Sequence, residues 1–341
     1  MRDSRPKTGN INQPTPFWLR DSPKIGEVVR IISLALVFSL SGLASDWSSL
    51  YGAANLESQR VRLRQDLNTV IAQEIQPFLT LEQAHAFSEI DLDLPATVAP
   101  DPNPLDFFST SNGHIVVPLL TIAFVEDMAK AYAWLWANHC SSQTVDEYLG
   151  MLRERHPGDF PDQHYPAPLV ALHIPDNAMQ DPAVAKMALR VRGTTLSFIL
   201  LHQFGHLHYV PSAQEAAFRR DPEEKADAFA LGVMKKNSET PAGLLMLIHG
   251  MIYLPASAPK NHPLSADRLK AIADYLDLRV REFAEGRPDR RLAAIAIQSL
   301  AEHIRQAARF LSDNTGQELW AEQGRKTTIA DLAPRQLPNT R

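Results

Sequence analysis

Residues Leu196–His206 read LSFILLHQFGH. Before the first histidine this stretch is apolar around most of a helical circumference, so as a helix it belongs in an interior. His202 and His206 stand four residues apart and project from nearly one helix face. Imidazole nitrogens on a buried helix must find partners. One metal ion can take a nitrogen from each, at a Zn–N distance of about 2.0–2.1 Å. The pair alone is weak evidence, because the same spacing also arises with one histidine in the core and the other outside.

A second segment adds the missing chemistry. In Pro222-Glu223-Glu224-Lys225-Ala226-Asp227, Glu223 and Asp227 are again one turn apart. Two histidines and a glutamate form one of the standard protein ligand sets for zinc. Asp227 is spaced to accept the remaining N–H of a ligating histidine, as carboxylates commonly do behind a metal. Glu215 and Glu224 are rival third ligands. The bland alternative is a solvated acidic first turn, since Asp221, Glu223 and Glu224 crowd a helix N-terminus that favours acids.

Composition narrows the remaining classes. A chain of 341 residues with 45% hydrophobic content can bury one large domain or two small ones. The formal net charge is −5, with both signs spread along the chain, which gives no basic face for nucleic acid. There is no Gly-rich phosphate loop and no internal repeat. The single cysteine, Cys140, rules out an intramolecular disulfide and a zinc knuckle, and reads as a small apolar core residue.

The N-terminal 30 residues are polar and slightly basic, and Ile31–Ala44 reads IISLALVFSLSGLA. That run is short for a membrane span. It has the length of a signal-peptide apolar region, with Gly42-Leu43-Ala44 as a small-residue cleavage site; a buried helix and a membrane anchor are the alternatives. The expectation is an exported chain, periplasmic or secreted, or a membrane-tethered one, with a cytoplasmic location as the alternative.

Apolar periodicity predicts helices over Glu57–Leu79, Leu119–Ala137, Val145–Arg155, Pro222–Lys236, Ala242–Tyr253, Leu264–Leu276 and Arg290–Ser312. Asp181-Pro182 is a helix start, predicting a helix to about Tyr209 with a break at Gly193. Strands are expected at His114–Val117 and Leu169–Ile174. Leu94–Leu105 is a Pro-rich connector, His156–Ala167 a loop, and the last fifteen or so residues frayed. The fold class is α+β, mainly α. The organisation expected is a leader over 1–44, a helical region and linker over 45–106, a main domain over 107–312 and a tail over 313–341.

The pattern H-x-x-x-H followed by E-x-x-x-D resembles the gluzincin zinc metallopeptidases. The form E-x-x-A-D at Glu223–Asp227, with His262-Pro263 and Arg268 (HPLSADR), is similar to the CAAX prenyl protease-like family. The resemblance spans roughly residues 169–276. It implies a zincin-like fold with a small sheet, an active-site helix and extra helices. It also implies zinc held by His202, His206 and Glu223, with Asp227 behind them, and a protein or peptide substrate. Arg268 is the implied oxyanion stabiliser, with His262, His249 and Tyr253 behind it. Leu169–Ile174 is the implied edge strand along which substrate lies extended.

The chain departs from that pattern at one position. Metal-assisted peptide hydrolysis needs a carboxylate to take the proton of the attacking water, immediately after the first histidine. Here Gln203 stands there. A carboxamide keeps the shape and can hydrogen-bond, but has no useful basicity. Two expectations follow: a metallopeptidase scaffold that is inactive or strongly impaired, or a non-catalytic pseudopeptidase that holds a peptide or partner. His208 falls on roughly the opposite helix face and reads as a surface or second-layer residue.

Overall fold

The computed structural model describes residues 47–98, 103–110, 112–208, 222–237, 240–254 and 262–337. The apolar run Ile31–Ala44 and the rival ligand Glu215 lie outside the described residues. Among the described residues no helix is long and apolar enough to cross a membrane.

The described chain is mainly helical, with a small mixed sheet. It opens with α1 (Ala53–Val70), which runs on into one wider π turn over Ile71–Ile75, and α2 (Leu81–Ser88). Strands β1 (Asp91–Asp93), β2 (Phe108–Ser109) and β3 (His114–Val116) follow. Helices α3 (Leu119–Ala137), α4 (Gln143–Glu154), α5 (Pro168–Ala171) and α6 (Pro182–His208) lead to α7 (Pro222–Met234) and α8 (Ala242–Tyr253). The chain closes with α9 (Ala266–Leu278), α10 (Val280–Ala284), α11 (Arg290–Leu311) and α12 (Asn314–Lys326). In the sheet β3 is central, parallel to β1 and antiparallel to β2, with Leu92 opposite Ile115 and Phe108 opposite Val116.

Helix α6 is the axis of the fold, and α3, α7 and α8 pack on it. Its start follows from Asp181, whose carboxylate accepts from Ala183 N at 2.8 Å, with Pro182 at the first helical position. From Gly193 to Gly205 every residue is buried, as the all-round apolarity of this stretch requires. The helix does not break at Gly193. A Cβ there would lie 2.0 Å from the Glu74 carboxylate, so this glycine makes room for a neighbour and ends nothing. Gly243 does the same where α8 crosses α6: a Cβ would meet Val191 O at 2.3 Å and Thr195 Oγ1 at 2.2 Å. The contact is sealed by Thr194 Oγ1, which accepts from Gly243 N at 2.9 Å.

Two further sequence expectations are corrected. Leu169–Ile174 is not a strand. Pro168 opens the helical turn α5, and the N–H groups of Ala171 and Leu172 return to Ala167 O and Pro168 O. A run of six residues is too short for periodicity to separate a strand from a buried turn, and the edge strand expected for substrate is not formed by this segment. The C-terminal residues also carry structure. Asp313 caps α12, a 3-10 turn covers Ile329–Leu332, and Gln336 pairs with Cys140. Trp320 on α12 stacks on Tyr253 of α8 at 4.0 Å between ring centroids.

Candidate metal centre

The end of α6, the start of α7 and the entrance to α9 meet at one point. Each is placed by local chemistry. Gly205 lets α7 approach α6: a Cβ there would be 3.0 Å from Ala226 Cα. This brings the first turn of α7, with Glu223, beside the last turns of α6, with His202 and His206. On the third side Ser265 caps α9 by accepting from Arg268 N at 3.1 Å, which fixes Arg268 in the first turn. His262 precedes that cap with φ +53°, a left-handed conformation that non-glycine residues adopt sparingly.

Nitrogens and oxygens converge there. His202 Nε2 lies 3.1 Å from His206 Nε2, 3.0 Å from His262 Nδ1 and 3.3 Å from Glu223 Oε2. Glu223 Oε1 is 3.2 Å from His206 Nε2, and both its oxygens are within 3.2 Å of His262 Nδ1. The four residues form a group able to hold a metal ion. A tetrahedral ion with bonds of about 2.0–2.1 Å sets its ligand atoms about 3.3–3.4 Å apart, so the observed spacings fit an ion at their centre. The donor chemistry agrees. Three imidazole nitrogens and a carboxylate, largely removed from water, cannot all satisfy one another with the protons they share. A cation accepts every lone pair at once.

Behind these four residues lies a second layer. His202 Nδ1 is 2.8 Å from Asp227 Oδ1 and has no other partner among the described residues, so Asp227 is its acceptor. The resulting tautomer turns the Nε2 lone pair into the cluster. Arg268 grips Asp227 with a two-pronged contact, Nε to Oδ2 at 2.7 Å and a terminal nitrogen to Oδ1 at 2.8 Å. Its other terminal nitrogen is 2.8 Å from Glu223 Oε2 and donates to Pro263 O at 3.3 Å. One guanidinium therefore braces Glu223, the acceptor behind His202 and the turn that delivers His262. Phe198 stacks on His202 and Phe107 on His262, at 5.8 and 5.5 Å between centroids.

The electrostatics follow from this packing. Burial opposes charge on Glu223, yet the three imidazoles and Arg268 hold its carboxyl far below the usual range. Burial likewise opposes charge on Asp227, and the hydrogen bonds from Arg268 and His202 outweigh it, lowering that carboxyl too. His202 resists protonation by burial, but Asp227 and Glu223 pull its pKa above the ordinary value. His262 is pushed down by burial, only partly offset by Glu223.

Of the residues singled out from sequence, His202, Gln203, His206, Glu223, Asp227, His262 and Arg268 come together here. Glu224 is not in this group. His249 faces Asp146 at 3.1 Å and Tyr253 stacks on Trp320. His208 stacks on Phe204 at 5.1 Å. Sequence reasoning missed the place of His262 within the cluster; its H-P-x-x-x-x-R segment was the available signal. Phe107 carried no signal of its own.

Fold and site together define a helical protein built around a buried three-histidine, one-carboxylate centre. Residues 156–286 match the family described as Peptidase U49. That span contains the whole cluster, while α1 to α4, the sheet, α11 and α12 fall outside it. No curated protein and no solved structure matches the chain.

Proposed function

We propose that residues 156–286 form a zinc-dependent metallopeptidase domain of the gluzincin type, directed at peptide bonds of protein substrates and strongly impaired by Gln203. The observation that carries this is the convergence of His202, His206 and Glu223 with Asp227 behind them, inside a span that matches a peptidase family. Zinc bound there supplies Lewis acidity for hydrolysis. The chain's own residues do the rest. Asp227 fixes the His202 tautomer, Arg268 holds Asp227 and Glu223 in register, and Phe198 and Phe107 shield the imidazoles from water. Gln203 can position a water or a carbonyl but cannot take a proton, and loss of a general base typically slows a reaction about 10²–10⁴-fold. The leader, with Ile31–Ala44, is read as an export or tethering signal, which cell fractionation tests.

A second reading is a pseudopeptidase that keeps the metal and binds a peptide or partner without cleaving it. The observation favouring it is that the Gln203 side chain, fully buried, is already engaged with His262 at 2.8 Å. Zinc content and hydrolysis of an unstructured protein separate the readings. One zinc per chain, with cleavage by Gln203→Glu alone or combined with His262→Ala, supports the peptidase. Full zinc occupancy with no cleavage in either variant leaves the binding protein.

A further inference from the structure

An open hydrolytic zinc site has three protein ligands and leaves the fourth position to water or substrate. Here a fourth side chain reaches that position. His262 Nδ1 stands 3.0 Å from His202 Nε2 and 3.1–3.2 Å from the Glu223 oxygens, the same spacings that the other ligand atoms keep among themselves. Its ring is held on one face by Phe107 and at the far nitrogen by Gln203, whose amide nitrogen is 2.8 Å from His262 Nε2. Meanwhile Gln203 Oε1 is buried with no hydrogen-bond partner among the described residues.

These facts fit together through the tautomer of His262. Its Nδ1 can offer a lone pair to a metal only if the ring proton sits on Nε2. That N–H then needs an acceptor in a dry pocket, and Gln203 is the group in contact with it. The two ends of a carboxamide have nearly the same shape and exchange by a half-turn. Turned so, Oε1 accepts the Nε2–H and the amide nitrogen takes the oxygen's former place.

We propose that Gln203 is a positioning residue which holds His262 as a fourth protein ligand, so that the metal centre is closed. The residue standing where the general base belongs, and the histidine standing where water belongs, act as one unit. This rests on the metal-centre reading above. It also means that Gln203→Glu, which keeps an acceptor for His262, leaves the site closed, and that hydrolysis emerges chiefly when His262 is removed as well.

X-ray absorption at the zinc edge of the full-length, zinc-loaded chain counts the imidazoles, and chelator competition measures affinity. The expected counts are three in the native chain and in Gln203→Glu, and two in His262→Ala and Gln203→Leu. Affinity is expected to fall about 10–100-fold in Gln203→Leu, as when other groups orienting metal ligands are removed, and to be retained within a few-fold in Gln203→Glu. Gln203→Met serves if the leucine variant does not fold. Two imidazoles in the native chain overturn the closed site while leaving the metal reading intact. Three imidazoles with unchanged affinity in Gln203→Leu overturn the role of Gln203. A chain that binds no zinc removes the reading beneath both.

Discussion

Arg268→Leu tests how the centre is held together. Arg268 is buried, as are the two carboxylates it serves, Asp227 and Glu223. Its contacts at 2.7–2.8 Å make it the cation shared by both acids. Removing one partner of a buried ion pair typically costs about 3–5 kcal/mol, because the other charge is left uncompensated. At about 2–4 °C per kcal/mol for domains of 150–250 residues, metal-free protein should melt about 6–20 °C lower. A divalent ion replaces part of the lost positive charge. The gap between variant and native chain should therefore narrow at saturating zinc, and Arg268→Lys, which keeps the charge but not the fork, should fall between them. Thermal melts of the three proteins after chelator dialysis and after zinc loading give the comparison. A metal-free loss below about 1 kcal/mol, or one that zinc does not change, refutes the shared-cation account.

Asp106 is a second test. Burial raises its pKa from 3.8 to about 6, against a hydrogen bond from Asn103 N. The folded state holds this proton longer than the unfolded one, so stability is lost as pH rises from about 4 to about 6. Asp106→Asn should therefore raise the melting temperature above pH 6 and leave it unchanged near pH 3.5; equal effects at both pH values count against it. Gly243→Ala should destabilise by about 1–3 kcal/mol in denaturant titration, because backbone atoms of α6 stand in the way of the methyl group. Gly205→Ala should spread α6 from α7 by a few tenths of an ångström and weaken zinc binding more than it lowers the melting temperature. Trp320→Ala removes the stack on Tyr253 and should cost about 1–3 kcal/mol, showing in a melt that α12 is part of the folded body.

Much of the site is legible in the sequence, for a definite reason. His202, His206, Glu223 and Asp227 lie on helices, where a spacing of four fixes a common face before any tertiary contact is known. Helices α3 and α8 were readable to the residue, because each is apolar, long and bounded by proline on its N-terminal side. His262 is different. It sits on irregular backbone at positive φ, and no periodicity says where such a side chain points. The partner it takes, Gln203, is 59 residues away in sequence, a pairing set only by the packing of α9 against α7. The same limit explains α5 and α12. Local pattern is weak in a four-residue turn, and α12 has little apolar content, so only the helices it packs against, α4 above all, reveal its buried side.

The three segments that meet at the centre also bear on chain entropy. An ion held there would join residues as far apart as 39 positions, Glu223 to His262, and 60 positions, His202 to His262. A chain with a single cysteine, Cys140, has no disulfide with which to restrict its unfolded ensemble. An ion retained at the site fastens loops of those spans, and a covalent link closing loops of 15 to 100 residues stabilises by about 3–5 kcal/mol on the chain-entropy account. With an ion bound, the centre would double as a removable cross-link, and the chain's resistance to unfolding is expected to track the free metal around it.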